Sequence, residues 1–80
     1  MAEEKVVTAA QMAAGQSGVV VRVDGGHMLL SRLEALGIRP GKRIRKVSSG
    51  FMRGPSVVEV GGCDIAIGFG MANRIFAKMD

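Results

Sequence analysis

Short apolar runs separated by glycines set the outline of this 80-residue chain, and the period of each run says what it builds. After Gly18 the run Val19-Val20-Val21-Arg22-Val23 is continuous and β-branched. It predicts a strand with Val19, Val21 and Val23 on its buried face and Val20 on the second face or the rim. Asp24-Gly25-Gly26 turns the chain, and the period then changes from two to 3.6. Leu29, Leu33 and Leu36 fall at i, i+4 and i+7 with Leu30 beside them, while Ser31, Arg32 and Glu34 take the opposite side of an amphipathic helix. Gly37 stops that helix, because a glycine just past the cap enters the left-handed region without a Cβ clash. Ile38 then falls where a Schellman motif returns an apolar residue to Leu33, and Pro40 forbids continuation before Gly41.

Residues 42–47 read as the next strand, but Ile44 and Val47 are three apart and cannot share a face of a regular strand. A bulge near Arg45 or Lys46 reconciles them. Residues 48–55 form a loop with Phe51 and Met52 in its middle and a Gly54-Pro55 turn at its end, leading into a strand over 56–60. Gly61-Gly62 suits a type I′ hairpin, which needs positive φ at both central residues. The return strand over 63–69 alternates with Ile65, Ile67 and Phe69 inward, residues 70–73 make one helical turn, and residues 74–79 close the chain as a strand. In that last strand Ile75, Ala77 and Met79 share one face and Phe76 serves the other. Upstream, residues 1–5 are expected to fray, Val6 and Val7 add a short edge strand, and Thr8 caps a brief turn over 9–14 that ends at Gly15.

The expectation is a mainly β domain over residues 6–80: a small five-stranded SH3-like barrel with one inserted α-helix and one or two short helical turns. So few strands bury a core best by curling closed, which also removes exposed edges. Eighty residues make one small domain with one core, and twelve glycines argue for many tight turns. The single cysteine, Cys63, excludes an internal disulfide and fits a reducing cytoplasm. No apolar run approaches the ~18 residues of a membrane span, so no membrane insertion is expected.

Charge changes the picture in one place. Arg39, Lys42, Arg43, Arg45, Lys46 and Arg53 put six of the eleven cations into fifteen residues that hold no acid. Such a stretch suits nucleic acid, an anionic surface or an acidic protein, or is simply a solvated strand edge guarded by Lys and Arg. Nucleic acid, bound by a small basic barrel, is the alternative function. It is disfavoured because such modules stack bases on aromatic rings, and here Trp and Tyr are absent and only Phe51 lies in the basic region.

Candidate chemistry is sparse. A metal site needs several converging donors, whereas this chain has one His and one Cys. His27 reads as an exposed turn residue and Cys63 as a half-buried thiol. Ser48 and Ser49 have no recognisable base, and the glycines fit neither a phosphate loop nor a dinucleotide fingerprint. No catalytic, cofactor or metal residues are assigned, and an enzyme is not expected.

Leu36-Gly37-Ile38-Arg39-Pro40-Gly41 with a basic strand after it, then Gly54-Pro55, the strand ending at Val60, and Ile65-Ala66-Ile67 ahead of Ala72, resembles the FeoA family. A similar domain occurs at the C-terminus of DtxR-type repressors, behind a helix-turn-helix. The resemblance implies a cytoplasmic accessory protein of ferrous iron uptake, acting as an adaptor or regulator on the cytoplasmic part of a FeoB-like membrane permease. It implies transition-metal binding, ferrous iron included, at family level only, and it leaves self-association open. Arg39, Arg45 and Arg53 are then the candidate charged contacts and Phe51 and Met52 the apolar anchors. Leu36, Gly37, Ile38, Pro40, Gly41, Gly54 and Pro55 form the structural motif.

Overall fold

The valine run builds the strand from which the rest of the sheet extends on both sides. The computed structural model describes residues 5–49 and 54–80. Among them β1 (Val6–Thr8), β2 (Ser17–Val23), β3 (Arg43–Ser48), β4 (Ser56–Val60), β5 (Cys63–Ile67) and β6 (Ile75–Met79) form one antiparallel sheet, in the order β1-β6-β2-β3-β4-β5. Helix α1 (His27–Ala35) lies between β2 and β3, and α2 (Phe69–Ala72) between β5 and β6. The five expected main strands are β2 to β6, and the short edge strand is β1. Lys5, the last of the five residues expected to fray, accepts a hydrogen bond on its carbonyl from Met79 N–H at 2.8 Å.

The sheet bends around one core, to which Val20, Ile44, Val58, Ile67, Ile75 and Ala77 contribute from strands, Leu33 and Ile38 from the helix and its exit, and Ala9 and Met12 from the N-terminal turn. Thr8 and Gln11 close that turn reciprocally. Thr8 N–H donates to Gln11 Oε1 at 2.9 Å and Gln11 N–H to Thr8 Oγ1 at 3.3 Å, the pairing of a capping box.

Two bulges correct the expected faces. In β2 the register against β6 passes from Val20↔Ala77 to Arg22↔Phe76, so Val21 is the extra residue. Gly18 and Val20 therefore point inward and Val21 outward, reversing the expected order of Val19, Val20 and Val21. Only Val23, beyond the bulge, packs on the core as expected. In β3 the register against β4 passes from Lys46↔Val58 to Ser48↔Val57, which places the bulge at Val47, one residue past its expected position. Ile44 and Lys46 are the inward pair, and Val47 is half-buried. Lys46 is thus not part of a solvated basic edge but fully buried, at 0% exposure.

At the other hairpin Gly61 (φ +58°) and Gly62 (φ +86°) take the positive φ that a type I′ turn requires. Strand β5 ends earlier than its alternation suggests. The chain turns at Gly68 into α2, so Phe69 opens a helix at 39% exposure instead of continuing the inward row of Ile65 and Ile67.

Candidate functional site

The helix stop positions the most distinctive surface. Gly37 stands at φ +87°, its N–H donates to Glu34 O at 2.9 Å, and Ile38 N–H donates to Leu33 O at 2.9 Å. These two bonds make a Schellman motif, and they set Ile38 into the core on the same turn as the buried Leu33. Pro40 follows, and Gly41, at φ +95°, donates to Val20 O at 2.7 Å while Val20 N–H donates to Lys42 O at 2.8 Å. The exit from the helix is thereby clipped to the middle of β2. Of the other motif residues, Leu36 is the helix cap, while Gly54 and Pro55 are the two residues that lead into β4.

Between this clip, the outer side of α1 and the end of β2 lies a groove of 290 Å³. Its apolar lining is Val21, Val23, Leu30, Ile38 and Pro40, and its polar lining is Arg22, Glu34 and Arg39. Val21 is 44% exposed and Leu30 38% exposed. Val21 reaches the groove because the bulge turns it out; Leu30 reaches it because Leu33, not Leu30, faces the core. Arg22 is held in place by Asp24 at 3.0 Å and by the Phe76 ring, whose centroid lies 4.2 Å from the guanidinium carbon.

The basic stretch does not form one patch. Arg45 pairs with Glu59 at 2.9 Å, Arg43 pairs with Asp80, and Lys46 is inside. Arg45 lines a separate depression with Arg43, Ser17 and the Gly61-Gly62 turn, so the two candidate contacts Arg39 and Arg45 are not brought together. Phe51, Met52 and Arg53 lie outside the described residues. Among the described residues no ion pair or side-chain hydrogen bond engages Arg39, which is exposed.

Lys46 has a separate role. Its Nζ donates to Ala9 O at 2.6 Å and Met12 O at 3.0 Å, with Ala10 O at 3.5 Å, and its own backbone bonds Gln16 and Gly15. It ties the N-terminal turn to β3. Desolvation by burial holds its amine below the ordinary value of 10.5. His27 is the first residue of α1, and Cys63 opens β5 as an exposed free thiol instead of a half-buried one. Among the described residues no three His, Cys, Asp or Glu side chains come together, and no helix is long and apolar enough to cross a membrane.

The family model described as the FeoA domain matches residues 7–79. The chain belongs to the FeoA family. A relative from Methanocaldococcus jannaschii that carries the name Fe(2+) transport protein A is 30% identical over 64 residues, which span 80% of this chain and 76% of that one. The crystal structure of an iron uptake regulatory protein, FeoA, superposes with a TM-score of 0.89 at 36% identity, covering 95% of this chain and all of the other. A zinc complex of Stenotrophomonas maltophilia FeoA, described as a prokaryotic SH3 domain protein and a candidate activating factor of ferrous iron transport, matches with a TM-score of 0.75 at 28% identity over 92% of this chain and 89% of that one. These likenesses agree with the SH3-like fold and the FeoA membership expected from the helix-stop motif, and they favour iron transport over nucleic-acid binding. Val21, Leu30 and Lys46 are the residues that sequence reasoning missed. A bulge-prone Val-Val-Val run and a leucine beside the buried stripe were the available signals for the first two.

Proposed function

We propose that this FeoA-family chain is a cytoplasmic accessory protein of ferrous iron uptake that acts by binding a protein partner, the cytoplasmic part of a FeoB-like permease. The observation that supports this reading is the joining of exposed apolar side chains, Val21 and Leu30, to the unengaged Arg39 beside a rigid helix stop. Arginines and apolar anchors on a rigid frame are the usual material of binding hot spots. Ferrous iron is cargo of the transport system. A resident metal does not fit the described donor set, and no catalytic step is assigned.

The contacts are Arg39 on the groove and, from the segment ahead of Gly54, Phe51, Met52 and Arg53, with Arg45 at the separate depression. The test is binding of the purified chain to the soluble cytoplasmic part of the permease, for the parent and for Arg39→Glu, Arg45→Glu and Arg53→Glu. Reversal of a contact charge is expected to weaken binding about tenfold, which is ~1.4 kcal/mol. Unchanged binding in all three would mean that these arginines only solvate the surface.

A further inference from the structure

The bulge at Val21 does more than turn one side chain. In an antiparallel ladder, successive residues point their N–H and C=O groups to opposite sides. Val20 bonds toward the β3 side, through Gly41 and Lys42. Without a bulge Asp24 would face the same way, yet Asp24 N–H donates to Arg74 O at 2.8 Å, on the β6 side. Val23, one residue earlier, therefore turns its N–H and C=O away from β6. On that side the pairing of β2 with β3 ends at Val19, and the last backbone bonds are those of Val20. Val23 lines the groove together with Ile38, Arg39 and Pro40, and the residues that follow these, Gly41 and Lys42, are the ones bonded to Val20 on that side.

We infer that this groove takes an extended segment of a protein partner, which adds to β2 at Val23 by main-chain hydrogen bonds. One large aliphatic side chain of the segment fills the space over Val21 and Leu30, and a neighbouring carboxylate meets Arg39. The volume, 290 Å³, suits one such side chain with room to spare. Charge chooses the flanking residue. Arg39 is unengaged among the described residues, whereas Arg22 is already held by Asp24. Main-chain pairing supplies affinity and the side-chain pocket supplies selection, as in other strand-addition sites. The identity of the partner rests on the proposed function; the groove and its free edge do not.

The experiment uses a blocked synthetic pentapeptide, acetyl-Ser-Glu-Leu-Glu-Ser-amide, titrated into the isotopically labelled full chain and followed by amide chemical shifts. Saturable shifts are expected at Val21, Val23, Leu30 and Ile38, with dissociation constants on the order of 1 mM for so short a probe. Hydrogen exchange at Val23 N–H is expected to slow when the peptide is bound. Replacing the central Leu by Ser, replacing both Glu by Lys, or methylating the central amide should each weaken binding about fivefold or more. Leu30→Gln and Arg39→Glu should do the same while leaving the spectrum of the free chain otherwise unchanged. Absence of saturable shifts at these four residues overturns the inference, as does equal binding by the Ser or Lys peptides. A chain that binds the peptide but not the permease would instead count against the proposed function alone.

Discussion

Two strands of this sheet each carry one extra residue, with opposite results. In β2 the bulge at Val21 turns an apolar side chain out, and in β3 the bulge at Val47 follows a lysine whose side chain points in. The first leaves Val21 on the wall of an open groove, and just ahead of the second, on the inward face of Ile44, Lys46 carries a buried amine that three carbonyl groups of the N-terminal turn surround. A bulge therefore has no fixed consequence. What matters is what lies on the face beside it: the groove beside α1 for Val21, and turn carbonyls in need of a donor for the neighbouring Lys46.

The sharpest way to break this contrast is Lys46→Ala, which removes the donor from Ala9 and Met12 and leaves a hole. A loss of about 3–5 kcal/mol in urea unfolding is expected. Lys46→Met keeps most of the stem and should lose about half of that, and a variant as stable as the parent would show that the carbonyls need no donor. Next comes the helix stop beside the groove. A Cβ on Gly37 would meet only ordinary contact, with Val60 Cγ1 at 3.5 Å, so the effect of Gly37→Val is backbone strain at φ +87°. It should lower stability by about 1–2 kcal/mol without closing the groove.

The pH dependence of Lys46 is smaller and has a definite sign. Its folded pKa lies below its unfolded value of 10.5, so the unfolded chain holds the proton more tightly. The penalty of the buried ammonium is fully present below the folded pKa and is relieved as pH rises toward the unfolded one. The stability of the parent relative to Lys46→Met should therefore increase as pH rises through the alkaline range toward 10.5. A decrease over that range would mean that the carbonyl bonds outweigh desolvation. Smallest of all, Val21→Thr keeps a β-branched residue at an exposed site and should change stability by less than about 0.5 kcal/mol while weakening the acidic Leu peptide.

The helix stop was legible because Gly37, Ile38, Pro40 and Gly41 each obey a local rule, and local rules need no partner. The Gly61-Gly62 turn was legible for the same reason. Lys46 was not, since what takes it inside is a set of acceptors 34 to 37 residues upstream that no local window contains. Val21 was misassigned because a run of three valines satisfies either parity, and only the pairing with β6 chooses between them. Phe69 continued the alternation of Ile65 and Ile67 on paper, but the short helix after Gly68 overrode it. At the candidate site, Arg39 came from charge, whereas Leu30 was placed beside the leucine stripe and not at the site, and their meeting in one groove is a product of tertiary structure.

The buried amine of Lys46 also gives the molecule a built-in reporter. An amine without solvent contact does not meet an acylating reagent, so modification at this lysine can proceed only when residues 9–12 lift away. Its rate, compared with that of an exposed amine such as Lys42, measures how often the N-terminal turn opens while the rest of the fold stays closed.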